Sequence, residues 1–284
     1  MKVGILIAMT KETTESIYEK IAHVRSLGFD NGQLGIWDMS LYNDDFLAEV
    51  KKACKELDFT ITALWCGWSG PVDWSYPNMY LTLGLVPAAY RAQRTNEILM
   101  GAEFARKLGI KDIITHMGYL PDNPFDKDRL GAMVALKHIC KSIAPYGQRF
   151  LFETGEELPN SLVQLIKEIG CDNIGINYDP ANMLINGRGN SADALDMFAP
   201  YVCGFHGKDA HYPKGGSPKG KEVKVGDGEA NYPVLMEKLV KMGYEGYITI
   251  ERECEEGPAR DAEIVWEKAY IEDLIKKAEE KLNK

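Results

Sequence analysis

The sequence of 284 residues has no hydrophobic run long enough for a membrane-spanning helix, which needs about 18 apolar residues. Its opening stretch, MKVGILIAMT, is short and is soon followed by charge, so a signal peptide is not expected. The six cysteines include no CxxC pair, which argues against a zinc ribbon or a dithiol redox motif. We therefore expect reduced cysteines and a cytoplasmic protein.

The sequence also lacks an excess of positive charge. It has 33 Lys and Arg residues against 42 Asp and Glu residues, a formal net charge of -9. A surface that binds nucleic acid without sequence preference would present clustered Lys and Arg to the phosphates, so a nucleic-acid partner is not expected. A small neutral or polar substrate fits this charge better.

Short hydrophobic runs recur along the whole chain, and amphipathic stretches lie between most of them. Several of these stretches end at a glycine, such as Gly109 and Gly170, as helices often do. Alternating strands and helices predict a parallel sheet with right-handed crossovers, and eight such units close most naturally into a barrel. The predicted strands are residues 3–8, 32–37, 59–65, 112–117, 149–153, 173–177, 201–206 and 246–251. The chain length suits one such barrel, so we predict a single domain over residues 1–284.

Two predicted loops, after strands 3 and 7, are longer than is usual between a strand and a helix. The first covers residues 66–92 and is rich in Trp and Tyr, whereas the second covers residues 207–231 and is rich in Gly and Lys. Both leave the C-terminal ends of their strands, where loops usually shape access to a substrate. The first could equally be a subunit interface or a cap on the barrel. The GDGE segment of the second is interpreted as a turn, because it does not follow the pattern of a phosphate-binding loop.

Four acidic or imidazole side chains stand where the last four predicted strands end. They are Glu153, Asp179, His206 and Glu251, at intervals of 26, 27 and 45 residues. A single acid at a strand end is often only solvated or caps a helix. Side chains at the C-terminal ends of several barrel strands, however, occupy the usual position of an active site. Three carboxylates and one imidazole predict a divalent-metal site.

The predicted ligands are mostly hard oxygen atoms, which suit one Mn2+ ion best, with Mg2+, Co2+ or Zn2+ as alternatives. Such a cation could bind the carbonyl oxygen and an adjacent hydroxyl of a sugar, and stabilise the charge that develops when a neighbouring C–H proton leaves. A carboxylate on each side of that carbon would allow the proton to leave one face and return on the other. The result is epimerisation, or isomerisation if the proton returns to the adjacent carbon.

The motifs FLFETG, NYDPAN, GFHGKD, GDGE and ITIERE together resemble the sugar isomerase/epimerase superfamily, which shares the xylose isomerase-like TIM barrel. The resemblance covers essentially the whole chain and is strongest over residues 150–253. It implies a single (β/α)8 TIM barrel and the metal set of the ketose 3-epimerase branch at the four strand ends. It also implies that Glu153 and Glu251 are the catalytic acid/base pair. Homo-oligomers, either dimers or tetramers, are frequent among such relatives.

The resemblance also suggests residues that contact the substrate. Many relatives carry a substrate-contacting His three residues after the Asp ligand, where this chain has Asn182. An amide can bond a sugar hydroxyl but cannot titrate. His116 ends the fourth predicted strand, where the related DNA-repair endonucleases have a metal-binding His; here it would touch substrate, act as a base, or be a buried neighbour of the site. The other predicted substrate-binding residues are Trp68 in the first long loop, and Lys208 and His211 beyond His206.

Three functions follow from this pattern. The first is a metal-dependent isomerase or epimerase of a sugar or keto-sugar. The second is a 3-keto-glycoside lyase or deglycosidase, in which the same enediolate expels a leaving group from C1. The third, a non-catalytic sugar-binding barrel, is favoured least, because a binding module has no need of four metal-ligand types at four strand ends.

Overall fold

The computed structural model describes residues 1–283. Its strands are β1 (Lys2–Met9), β2 (Asn31–Ile36), β3 (Thr60–Cys66), β4 (Asp112–Thr115), β5 (Arg149–Glu153), β6 (Ile174–Tyr178), β7 (Val202–Gly207), β8 (Asp209–His211), β9 (Lys221–Val223) and β10 (Tyr247–Ile250). Eight of them close into a parallel barrel in the order β1, β10, β7, β6, β5, β4, β3, β2. This closed barrel confirms the (β/α)8 fold predicted from the alternation of strands and helices.

Neighbouring residues of a barrel strand face opposite sides, because side chains alternate along a strand. In β5, Phe150 and Phe152 join the large hydrophobic layer that includes the surrounding helices, whereas Leu151 packs in a second cluster with Trp65 and Ile114 from neighbouring strands. The second cluster lies inside the barrel beside β3, β4 and β5, whereas the polar side chains Gln33 and Asn177 are buried on the side of β2 and β6.

The helices wrap the barrel and cover its outer hydrophobic layer. They are α1 (Ile17–Ser26), α2 (Asp44–Glu56), α3 (Met79–Thr82), α4 (Ala88–Leu108), α5 (Lys127–Ile143), α6 (Pro159–Ile169), α7 (Pro180–Ile185), α8 (Ser191–Phe198), α9 (Tyr232–Lys241) and α10 (Pro258–Leu282). Gly109 and Gly170 take left-handed conformations at the ends of α4 and α6, as the sequence predicts. Within residues 1–283, no helix combines the length and the hydrophobicity that crossing a membrane requires.

The first long loop is shorter than predicted, because α4 begins at Ala88 rather than after Ala92 and the turn of α3 lies inside the loop. The fully buried Arg94 of α4 organises this segment. Its guanidinium donates to the backbone carbonyls of Ser69, Pro71, Thr82 and Gly84 at 2.6 to 3.3 Å. Such a contact across many residues cannot be read from local sequence.

The second long loop contains the antiparallel pair β8 and β9, which the sequence did not predict. Strands of three residues are too short to show a hydrophobic alternation. The GDGE segment is a turn, as expected, and it folds around the buried carboxylate of Asp209. That carboxylate accepts backbone N–H bonds from Ala210, Gly226, Gly228 and Ala230.

Glu267 of α10 is a fully buried carboxylate under the second long loop. Its Oε1 accepts the backbone N–H of Val225 at 2.9 Å, whereas its Oε2 has no hydrogen-bond partner. Burial raises the pKa of Glu267 from 4.5 to about 7. Because the folded state favours the protonated acid, Glu267 destabilises the fold increasingly as the pH rises from 4.5 through about 7.

Changing Glu267 to Gln should therefore raise the free energy of unfolding by about 2 kcal/mol at pH 8 and by much less near pH 5. The amide keeps the acceptor for Val225 and removes the buried charge. Urea denaturation at both pH values measures the difference. Glu280→Gln, at an exposed position of the same helix, is the control and should have little effect at either pH. An equal stabilisation by Glu267→Gln at both pH values would contradict the expectation.

Candidate metal centre

The four predicted ligands lie together at the C-terminal end of the barrel. Glu153 ends β5, His206 lies near the end of β7, and Asp179 and Glu251 directly follow β6 and β10. These four strands are consecutive around the barrel. One ligand atom from each side chain lies within 4.8 Å of the other three. His206 is central: its Nδ1 is 3.3 Å from Glu153 Oε1, 3.5 Å from Asp179 Oδ2 and 3.2 Å from Glu251 Oε2.

Two atoms of this cluster are buried without a hydrogen-bond partner, namely His206 Nδ1 and Asp179 Oδ2. The other polar atom of each side chain has a hydrogen-bond partner. Asp179 Oδ1 accepts the backbone N–H of Asn182 at 2.8 Å and so caps α7, while His206 Nε2 lies 2.9 Å from Gln33 Oε1. Because an amide oxygen can only accept, Nε2 carries a proton, and Nδ1 is the nitrogen that would bind a cation once its own proton has left. Buried polar atoms without partners are costly, so this donor set fits a divalent cation.

Burial and charge oppose each other at these side chains. Burial alone would raise the pKa of Glu153 and of Glu251, but positive neighbours outweigh it and lower both pKa values. At Asp179 burial prevails and raises the pKa to about 6. At His206 burial would lower the pKa, but Glu153 and Glu251 outweigh it and raise the pKa well above its usual value. The carboxylates therefore stabilise positive charge at the position of His206, where a divalent cation would replace the proton on Nδ1.

Gln33 of β2 was missed by sequence reasoning, although a Gln inside a hydrophobic strand is a signal that could have identified it. Its side chain is 4% exposed and connects two residues of the opposite barrel wall. Its Oε1 meets His206, and its Nε2 donates to Asn177 Oδ1 at 3.1 Å. Gln33 therefore fixes which nitrogen of His206 faces the carboxylates, as an outer neighbour of a metal ligand commonly does.

Changing Gln33 to Leu should weaken Mn2+ binding by about 10- to 100-fold, the usual cost of losing such an outer hydrogen bond. The buried His206 Nε2–H would lose its acceptor, so the ring would no longer be held in one orientation. Isothermal titration with Mn2+ measures the effect. Gln164→Leu, on the exposed face of α6, should bind Mn2+ as the unchanged protein does. Unchanged affinity in Gln33→Leu would mean that another contact orients His206.

Three further side chains contact Glu153. The indole Nε1 of Trp65 donates to Oε2, Asn182 Nδ2 donates to Oε1 at 3.3 Å, and His116 Nε2 lies 3.4 Å from Oε1. His116 directly follows β4, and its Nδ1 lies 3.1 Å from Glu156 Oε2. Burial would lower the pKa of His116, but Glu153 and Glu156 outweigh it and raise the pKa to about 10.

Sequence reasoning included His116 and Asn182 but missed Trp65 and Glu156. Trp65 lies at the C-terminal end of β3, and Glu156 is three residues beyond Glu153 in the segment ETGEE. Both positions belong to the same end of the barrel as the predicted ligands. A Trp that closes a hydrophobic strand, however, is equally typical of a buried core residue.

Lys208 lies inside the same cluster, with a side chain only 2% exposed. Its Nζ is 2.9 Å from Glu251 Oε2, 2.8 Å from Glu253 Oε2 and 4.0 Å from Asp179 Oδ2. Burial would lower the pKa of Lys208, but these carboxylates outweigh it and raise the pKa well above its usual value. Lys208 therefore adds a fixed positive charge beside Glu251.

The other two predicted substrate contacts, Trp68 and His211, do not contact the four ligands. Trp68 is 2% exposed and packs with the rings of Trp37 and Trp65, whose centroids lie 5.2 and 5.9 Å away. His211 lies in β8, where its Nδ1 is 3.5 Å from Glu229 Oε2. Their roles in binding stay predictions.

The two long loops meet over this end of the barrel. Trp74 of the first loop lies edge-on to His116, with ring centroids 5.2 Å apart. Lys219 of the second loop donates through Nζ to the backbone carbonyl of Trp74 at 3.2 Å. Both loops therefore border the entrance to the candidate site, in the position expected for segments that shape substrate access.

The barrel and its four-ligand cluster define a class of protein. The chain belongs to the xylose isomerase-like TIM barrel family, whose sequence profile matches residues 21–274.

Several individual proteins are similar to the chain. The uncharacterized protein MJ1311 of Methanocaldococcus jannaschii is 27% identical over 189 residues; the match covers 63% of this chain and 62% of that protein, under two thirds of its length. A solved xylose isomerase domain protein from Planctomyces limnophilus is similar with a TM-score of 0.86 and 26% identity, over 98% of both chains. A solved D-tagatose 3-epimerase-like protein shares the fold with a TM-score of 0.78 at 20% identity, over 99% of this chain and 100% of that one.

Proposed function

We propose that this chain is a divalent-metal-dependent isomerase or epimerase that moves a proton next to the carbonyl group of a sugar or keto-sugar. The observation that carries the proposal is a pair of buried potential metal ligands without hydrogen-bond partners. They are His206 Nδ1 and Asp179 Oδ2, and they lie close to the carboxylates of Glu153 and Glu251. The fold shared with a D-tagatose 3-epimerase-like protein supports the reaction class. Glu153, Asp179, His206 and Glu251 would hold one ion, with Mn2+ the first choice and Mg2+, Co2+ or Zn2+ as alternatives.

A bound divalent ion would polarise the substrate carbonyl and stabilise the negative charge that develops beside it. Glu153 and Glu251 are the two outer members of the arc of four strands, so a substrate above the arc would have one carboxylate on each side. Their lowered pKa values keep both ionised at neutral pH. One glutamate would accept the proton from one face of the carbon, and the other would return a proton to the opposite face.

The remaining polar groups of the cluster would orient the substrate. One of the two glutamates is in contact with each of Asn182, His116 and Lys208. A sugar bound next to the glutamates could therefore form hydrogen bonds with these three side chains through its hydroxyl groups. The adjacent Trp65 holds one oxygen of Glu153, leaving the other directed towards His206. A cytoplasmic location and assembly into dimers or tetramers remain predictions.

A 3-keto-glycoside lyase is the second candidate, favoured by one observation. An open groove adjoins Glu251 and is bounded by residues 5–8 of β1, by residues 15–24 at and within α1, and by residues 251–261 up to the first turn of α10; we call this the β1 groove. A substituent expelled from C1 of the sugar could leave through it. The first steps of the two reactions are the same, since both begin with proton abstraction next to the carbonyl.

Incubation of the Mn2+-loaded protein in D2O with a panel of ketoses and 3-keto-glycosides, followed by NMR, tests both candidates. An epimerase should place solvent deuterium on the inverted carbon of a ketose and release nothing from C1. Release of the C1 substituent in proportion to turnover, with free ketoses inert, would favour the lyase instead. Absence of deuterium exchange and of release across the panel would contradict both.

A further inference from the structure

The β1 groove exists because β1 is longer than its neighbour β10. Their pairing ends at Ile5 and Ile250, whereas β1 continues to Met9. The chain after Ile250 then turns away through residues 251–257 to the start of α10. The C-terminal part of β1, residues 6–9, is therefore paired with β2 on one side but has no strand beside it on the other. The opening that results has a volume of about 790 Å3.

One wall of the β1 groove is formed by the edge of a strand. The four successive residues 5–8 all line it, although successive side chains of a strand point to opposite faces. Only the backbone edge can bring four neighbours to the same groove, and such an edge presents N–H and C=O groups. These groups suit a ligand with many hydroxyls.

The groove is continuous with the candidate metal centre. Glu251 and Trp37 line it, and the Trp37 ring packs on Trp65 with centroids 4.7 Å apart. Trp65 in turn donates to Glu153. A molecule that reached both glutamates with one end could therefore extend its other end along β1.

The charge of the groove restricts what can occupy it. Six carboxylates line it against three Lys or Arg side chains. These cations already have partners: Lys20 and Arg260 lie 3.4 and 3.8 Å from Glu256, and Arg252 contacts Glu222 and Glu263. The lining therefore has twice as many carboxylates as Lys and Arg side chains, which disfavours a ligand with a phosphate or carboxylate group. Carboxylates accept hydrogen bonds well from neutral hydroxyl groups.

We propose that the β1 groove binds a second, uncharged ring of the substrate. This inference rests on the proposed function and specifies its substrate class: a glycoside or disaccharide-sized keto-sugar rather than a free or phosphorylated monosaccharide. The volume is compatible with the assignment, because pockets for small molecules span about 300 to 1000 Å3. Trp37 lines the groove where it meets the metal centre.

Binding of three related ketoses tests the inference. Isomaltulose carries a neutral glucosyl ring on the oxygen where fructose 6-phosphate carries its phosphate, and fructose carries neither. Isothermal titration in buffer with Mn2+ should show isomaltulose binding about tenfold more tightly than fructose, a modest gain for a ring only partly removed from water. Fructose 6-phosphate should bind no more tightly than fructose.

Cys254 allows the groove to be blocked without changing the fold. It is exposed and lines the groove, whereas the other five cysteines are buried or half-buried. Fluorescein maleimide at Cys254 should abolish the advantage of isomaltulose and leave fructose binding within about twofold, whereas the small reagent methyl methanethiosulfonate should leave the advantage largely intact. In the Cys254→Ser protein, treatment with the maleimide should leave the binding of isomaltulose and of fructose unchanged.

No advantage for isomaltulose, or an advantage that survives the maleimide, would overturn the inference. An equal gain for fructose 6-phosphate would also overturn it, because the groove would then select for size or negative charge. The binding advantage needs no turnover, so it is judged separately from the proposed reaction, which stands or fails on deuterium exchange.

Discussion

Replacing Glu153 or Glu251 with Gln should lower the rate of inversion at the reacting carbon by at least about 100-fold, the low end of a general-base contribution. Glutamine keeps the size of the side chain and one possible oxygen ligand, but it cannot accept the proton. NMR of the product formed in D2O measures the rate, and elemental analysis of the protein checks that the metal is retained.

The two variants should also differ from each other. If the glutamates serve opposite faces of the carbon, the variant that keeps the abstracting carboxylate should still exchange deuterium into recovered substrate without inverting it. The other variant should lose both exchange and inversion. Glu245→Gln, at an exposed position, serves as the control and should keep the full rate. Inversion that persists with metal bound would move the base elsewhere, and His116 would be the next residue to replace.

Changing Asp179 to Asn should weaken Mn2+ binding by at least about 100-fold, because one of three carboxylates and the unpartnered Oδ2 would be lost. The helix cap should survive, since Asn caps helices as well as Asp. At a Mn2+ concentration about 100 times its Kd, the unchanged protein should gain about 2.7 kcal/mol in the free energy of unfolding. The variant should gain no more than about 0.4 kcal/mol at that concentration, as thermal or urea denaturation would reveal.

Asp126→Asn is the matched control, because Asp126 also caps a helix, α5, with its carboxylate. It should retain the full stabilisation by Mn2+. Anomalous scattering from Mn2+-soaked crystals should place one ion about 2.0 to 2.6 Å from the four side chains. An ion held elsewhere, or full stabilisation of Asp179→Asn, would contradict the assignment of the metal centre.

The barrel and the cluster of four candidate ligands were predictable because their signals are local. Each ligand directly follows, or ends, a short hydrophobic run, and parallel strands bring their C-terminal ends to one face. Glu153, Asp179, His206 and Glu251 could therefore be grouped without knowing any distance. His116 and Asn182 also lie at this end: His116 ends a predicted strand, and Asn182, which the family resemblance suggested, follows Asp179 by three residues.

The missed residues depend on contacts across the barrel. Gln33 meets His206 from a strand 173 residues earlier, and Trp65 meets Glu153 across 88 residues. Nothing in the local pattern shows which side chains face each other over such separations. The pair β8 and β9 was missed for a different reason, because three-residue strands are too short for a period to be counted.

The two halves of the barrel contribute different residues to the candidate site, and this affects which substitutions the protein should tolerate. The four candidate ligands all come from residues 153–251, whereas Gln33, Trp37 and Trp65, which orient them or border the β1 groove, lie in β2, directly after β2 and in β3. A library restricted to the first half that keeps Gln33 and Trp65 should yield proteins with altered substrate preference that still bind the ion. The same number of substitutions in the second half should mostly yield inactive ones. Directed evolution of this barrel should therefore begin with its N-terminal strands and leave the ligand-bearing strands fixed.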